Sequence, residues 1–119
     1  MADAALFIGF GITLSGRERR ALSVLDEALR YYAGLQQAGE LESFEPVLLE
    51  PHGGDLGGFI LLRGEPAKLD RIRRSAEFQR LTTRAGLVAE RIGVVSAYVG
   101  EELRVQLGRF EAELQDLAS

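Results

Sequence analysis

The chain has no cysteine. Disulfides, thiolate metal sites and cysteine nucleophiles are excluded together. The composition suits a reducing compartment, so the cytoplasm is the expected location. Tryptophan is missing too, and His52 is the only histidine. A lone imidazole without a second ligand makes a poor transition-metal site, so no metal and no cofactor are expected. Of the 14 basic side chains all but Lys68 are arginine, a bias read as GC-rich coding rather than phosphate recognition. The net charge of −4 gives no basic footprint, and no nucleic-acid partner is expected. Long apolar runs are also missing. The apolar stretches are strand-sized, far below the roughly 20 residues that span a bilayer, so no membrane is expected. Met1 to Leu6 lacks the basic region and long apolar run of a signal peptide.

What is present is ordinary globular material. At 119 residues the chain has the length of one domain, 1–119, with a core region 5–100 and a terminal helix 101–118. An apolar fraction of 46% is enough to bury a core without staples. Ala5 to Leu14 reads as a buried strand: Leu6, Ile8, Phe10 and Ile12 share one face, Phe7, Gly9, Gly11 and Thr13 the other. Ser15 and Glu18 fit a capping box, in which the Ser15 hydroxyl accepts from the Glu18 amide. Leu22, Leu25, Leu29 and Tyr32 then recur at helical spacing, and Gly39 is a plausible stop.

Ser43 to Glu50 and Gly57 to Arg63 read as a second and a third strand, joined by Pro51-His52-Gly53-Gly54-Asp55-Leu56, a cluster of turn formers. Pro46 requires an edge or a bulge in the second strand. Glu65-Pro66 opens another helix, whose apolar face is Leu69, Ile72, Phe78 and Leu81. Ser75 is placed to restart or bend it. Gly93 to Val99 is the fourth strand. Glu101 to Ala118 is amphipathic, with Leu103, Leu107, Phe110, Leu114 and Leu117 in three-four spacing.

The order β-α-β-β-α-β plus one helix predicts an α+β, ferredoxin-like fold: an antiparallel sheet with its crossover helices on one face. Strands one and four are apolar on both faces, as is the Leu48-Leu49 pair, whereas a half-solvated sheet should alternate. The second face therefore needs a cover, either the terminal helix, a second subunit, or both.

The element order, the two-sided strands and Arg73-Arg74-Ser75-Ala76-Glu77-Phe78-Gln79-Arg80-Leu81 resemble dimeric α/β-barrel proteins. Ser75 and Phe78 are similar in style to the Ser-x-x-Phe segment of several such families. These include YCII-related and antibiotic-biosynthesis monooxygenase-like proteins. The resemblance covers roughly residues 5 to 100 and implies a homodimer packed through the open sheet face. It further implies a pocket between sheet and helices lined by aromatics and a few polar groups.

Chemistry-bearing motifs are few. His52 is open to reading as a general base or as a structural residue of a glycine-rich turn, and the turn is the favoured reading. YCII-related proteins pair a histidine with an aspartate. Asp55 is near His52, but the family histidine lies early in the chain, where this sequence has none. Gly9, Gly11 and Gly16 miss the dinucleotide spacing, and the residues after Gly53-Gly54 lack a phosphate loop's Lys-Ser/Thr. Carboxylates Glu45, Glu50, Asp55 and Glu65 read as solvated edge charges. No catalytic residue is assigned. Tyr32, Arg63, Phe78, Tyr98 and His52 are the candidate ligand-binding residues, with core packing the competing role for the aromatics. Two functions stay open. One is a homodimer that binds a small apolar ligand or serves as an assembly module without catalysis. The other is a small cofactor-independent oxygenase or isomerase.

Overall fold

The computed structural model describes residues 4–118. Met1, Ala2, Asp3 and Ser119 lie outside them, and with them part of the signal-peptide reading and the ends of the 1–119 domain assignment. The elements in order are β1 (Ala4–Phe10), α1 (Glu18–Gln37), β2 (Ser43–Leu48), β3 (Gly58–Gly64), α2 (Pro66–Arg74), α3 (Ala76–Gly86), β4 (Gly93–Tyr98) and α4 (Gly100–Ala118). The sheet runs β2-β3-β1-β4 with every neighbour antiparallel. That is the ferredoxin-like order, with the central strands from the two halves of the repeat. Pro46 sits on β2, an edge strand, where its missing N–H costs the ladder nothing.

The two-residue period divides the sheet cleanly. Leu6 and Ile8 of β1 pair with Leu62 and Ile60 of β3 and share one face. Tyr32 of α1, Leu69 and Ile72 of α2 and Phe78 of α3 close the core over that face. The second helical stretch breaks at Ser75, whose hydroxyl accepts from the Phe78 N–H at 3.2 Å and donates to the Ile72 carbonyl at 2.7 Å. One side chain thus caps α3 and ties off α2.

Two local expectations shift. The capping box does not form at Ser15, because α1 starts at Glu18 behind Arg17, which makes no side-chain cap. Gly16 turns there with φ 84°, and its N–H is the one that the Glu18 carboxylate accepts from, at 3.2 Å. The buried stripe of α1 is Val24, Ala28 and Tyr32. Leu22 is instead 68% exposed, one helical position round from that stripe.

The opposite sheet face carries Phe7, Phe59 and Leu61, half-buried, with Val95 exposed beside them. Leu56, from the β2–β3 loop, leans over one end of this face, beside Gly9. The terminal helix does not cover it: no residue of α4 is buried. β4 ends at Tyr98 and α4 begins at Gly100, φ 56°, so the single residue Val99 separates them. No described helix is long and apolar enough to cross a membrane.

Candidate functional site

Beyond Phe10 the chain leaves the sheet but stays tied to the end of the second crossover. Gly11 donates to the Glu90 carbonyl at 2.7 Å, Glu90 to the Ile12 carbonyl at 2.9 Å and Leu14 to the Val88 carbonyl at 2.8 Å. Glycine is required at position 11, because a Cβ there would lie 2.9 Å from the Glu90 oxygen. These bonds hold residues 11–14 and 88–90 as one wall, a step away from the sheet.

Between that wall, the sheet and helices α1 and α3 lies a cavity of about 510 Å³. Its floor is Ile8, Phe10 and Ile60, and α1 roofs it with Val24, Leu25, Ala28 and Tyr32. Leu81, Ala85 and Val88 close the α3 side. The space exists because α1 and α3 turn small side chains, Ala21, Ala28 and Ala85, towards it. Leu22, Ile12 and Leu48 stand exposed around the mouth. An apolar rim of this kind admits an apolar molecule rather than excluding it.

Few polar groups reach the cavity. Thr82 is spoken for, its hydroxyl donating to the Phe78 carbonyl at 2.9 Å. Glu18 and Thr13 are exposed where they meet it. Tyr32 differs: it is 3% exposed, yet its hydroxyl makes no hydrogen bond among the described residues, and no sealed side-chain polar atom there lacks a partner. Tyr32 is thus a buried residue of the cavity lining whose hydroxyl is not sealed into the core. Burial, and secondarily the neighbouring Tyr31 phenol, hold the Tyr32 phenol above its ordinary value. At neutral pH it is a hydrogen-bond donor and not a base.

The other four candidates lie elsewhere. Phe78 is buried in the same core as Tyr32 but is not on the cavity wall. Arg63 is on the open sheet face, opposite Ala5 and Ser43. Tyr98 ends β4 and is 54% exposed. His52 is in the β2–β3 loop, where Nε2 donates to the Leu56 carbonyl at 2.8 Å and Nδ1 accepts from the Gly54 N–H at 3.3 Å. Both ring nitrogens are thus engaged in holding that loop. Val24, Ala28 and Val88 were not singled out in the sequence. The signal that could have found the first two is the four-residue spacing of Val24, Ala28 and Tyr32.

A second, open depression of about 620 Å³ lies on the outer side of α1, beside Arg17, Arg19, Arg20 and Arg84. Arg84 is bound to Glu27 at 2.9 Å and Arg17 to the Leu87 carbonyl, so half of this basic group is already engaged. Among the described residues no three His, Asp or Glu side chains gather as metal ligands would.

No protein-family model matches the sequence, and no curated protein matches it. Solved structures do match in shape. A dimeric ferredoxin-like protein of unknown function from Jannaschia aligns with TM-score 0.62 at 17% identity, over 81% of this chain and 99% of that one. The cofactor-independent oxygenase SnoaB of Streptomyces nogalater aligns at 0.54 and 14%, over 83% and 95%. The hydroxynitrile lyase of Passiflora edulis aligns at 0.60 and 15%, over 85% and 97%. These likenesses show a ferredoxin-like fold. Within this fold the α4 extension stands outside the sheet and crossover helices, and the cavity lies between them, where pockets of layered α/β architectures form.

Proposed function

We propose that this protein is a homodimer, joined through the open sheet face, that binds a small apolar ligand between sheet and helices without transforming it. The observation that carries the reading is the apolar cavity of about 510 Å³ lined by buried Tyr32, whose hydroxyl has no hydrogen-bond partner among the described residues. That volume falls within the range of small-molecule sites, roughly 300–1,000 Å³, where apolar walls and a few polar groups fix the ligand. The ligand chemistry that fits is an apolar body with one hydrogen-bond acceptor.

Binding is favoured over catalysis because the buried part of the wall offers no group suited to take a proton. The carboxylate at its edge, Glu18, is exposed and accepts from the Gly16 N–H. The Tyr32 phenol stays protonated at neutral pH, and His52 is committed to its own loop. The oxygenase and the lyase share only the fold with this chain, which is a weak warrant for their chemistry. Pairing through the sheet is supported by the uncovered Phe7, Phe59, Leu61 and Val95. It also agrees with the dimeric state of the Jannaschia neighbour.

The test is calorimetric titration of the full chain with 1-naphthol, an apolar ring carrying a hydroxyl. Saturable binding is expected that Ala21→Phe, which fills the cavity, abolishes. Equal binding by the Ala21→Phe protein, at unchanged circular dichroism, would refute this site.

A further inference from the structure

The terminal helix has an apolar side that nothing in its own chain covers. Leu103, Leu107, Phe110 and Leu114 are between 44% and 66% exposed, and Leu117 is 83% exposed. With only Val99 between β4 and α4, the helix has no linker on which to fold back over its own sheet. The spacing of these residues alternates four and three. A globular surface helix shows a broader stripe, whereas a strict alternation is the seam of a helix that packs along another helix.

We infer that α4 pairs with α4 of a second copy, antiparallel, about a two-fold axis near Gly108 and Arg109. The pattern is self-complementary when read backwards. Leu103 meets Leu114 of the other copy, and Leu107 meets Phe110, twice each by symmetry. Charges flanking the seam choose the direction. In the antiparallel register Arg104 stands beside Glu111 of the other copy. In the parallel one Gln106 would face Glu111, and Arg104 would gain no acidic partner. Arg104 is free to make the exchange, because its present contact is an exposed one with Glu101 at 3.7 Å. This pairing goes beyond the proposed ligand site and does not depend on the sheet-face contact.

The absence of native cysteine makes the test clean. The full chain is prepared as Arg104→Cys, as Glu111→Cys and as the double variant, and each is oxidised at low protein concentration. Within one helix these positions are about 10.5 Å apart along the axis, too far for an intrachain disulfide, which needs Cα atoms closer than about 7 Å. The double variant is expected to run as a covalent dimer on a denaturing gel, at least tenfold more than either single variant. Adding Phe110→Glu should abolish that band. Equal crosslinking by a single variant, or none by the double, would overturn the antiparallel pairing. The experiment is repeated with Phe59→Glu. A crosslink that survives there, with loss of the sheet-face dimer, separates the fate of α4 from that of the sheet pairing.

Discussion

Phe7 and Phe59 stack on the helix-free face of the sheet, ring centroids 5.0 Å apart and planes inclined by 27°. They are diagonal neighbours, since Phe59 pairs with Gly9 and Phe7 with Leu61. The Phe7 ring lies across Gly9, where a Cβ would come within 2.8 Å of it. Gly9 thus makes room for the aromatic pair at the centre of the open face. Gly9→Ala is expected to displace the Phe7 ring and to cost about 1 kcal/mol or more. Urea denaturation followed by circular dichroism measures this, and an unchanged midpoint would show that the ring has somewhere else to go.

If that face joins two protomers, a charge in the middle of it should separate them. Phe59→Glu places a carboxylate where it would be desolvated opposite its own symmetry mate. In a Phe110→Glu background, which removes the α4 contact, the expected outcome in analytical ultracentrifugation is a monomer at concentrations where the Phe110→Glu chain alone sediments as a dimer. A parent chain that is monomeric throughout would contradict the sheet-face pairing.

Ser75 carries three contacts: the Phe78 N–H, the Ile72 carbonyl and the Tyr31 hydroxyl, the last at 3.2 Å. Ser75→Ala removes the cap of α3 and should destabilise the fold by about 1 kcal/mol. Ser75→Asp keeps an acceptor for the amide and should recover much of that loss. The comparison is made by thermal melting, and equal melting temperatures for the parent chain and the Ser75→Ala variant would refute the cap's contribution.

Tyr32 makes opposite predictions for stability and for binding. Its hydroxyl has no hydrogen-bond partner among the described residues, so Tyr32→Phe should leave stability at neutral pH unchanged within about 0.5 kcal/mol. Binding of 1-naphthol should weaken about fivefold, the loss of one hydrogen bond worth about 1 kcal/mol. The phenol is raised in the folded state by burial and then by Tyr31, so its contribution is fully present below the unfolded value of about 10. Above that pH the unfolded chain loses the proton first, and stability should fall by about 1.4 kcal/mol per pH unit until the folded phenol titrates. Tyr32→Phe should remove that part of the alkaline slope. An identical slope in both proteins would contradict the buried, protonated assignment.

Much of this architecture is legible in the sequence because its signals are periodic or steric. The alternation of Leu6, Ile8 and Phe10 marks β1, Pro46 marks an edge strand, and Ser75 marks the break between α2 and α3. The start of α1 was less legible: Ser15 and Glu18 satisfy the capping pattern, but Gly16 adopts φ 84° and sends the chain into the helix later. The cavity was not legible, because it depends on where packing fails to fill space. Tyr32 falls on the stripe by its spacing. That Ala28 rather than Leu29 would face the sheet, and that Leu22 would stay at a mouth, follows from how α1 rolls on the sheet. The idle hydroxyl of Tyr32 is likewise visible only once its neighbours have been placed.

The most direct test of the account is methyl-resolved NMR of the full chain during titration with 1-naphthol. The cavity predicts shift changes concentrated at Val24, Leu25, Ala28, Leu81 and Val88, which line it. The methyls of Leu61 and Val95, on the opposite sheet face, should stay in place. Changes confined to Leu61 and Val95, or to the α4 seam, would contradict a ligand site between sheet and helices.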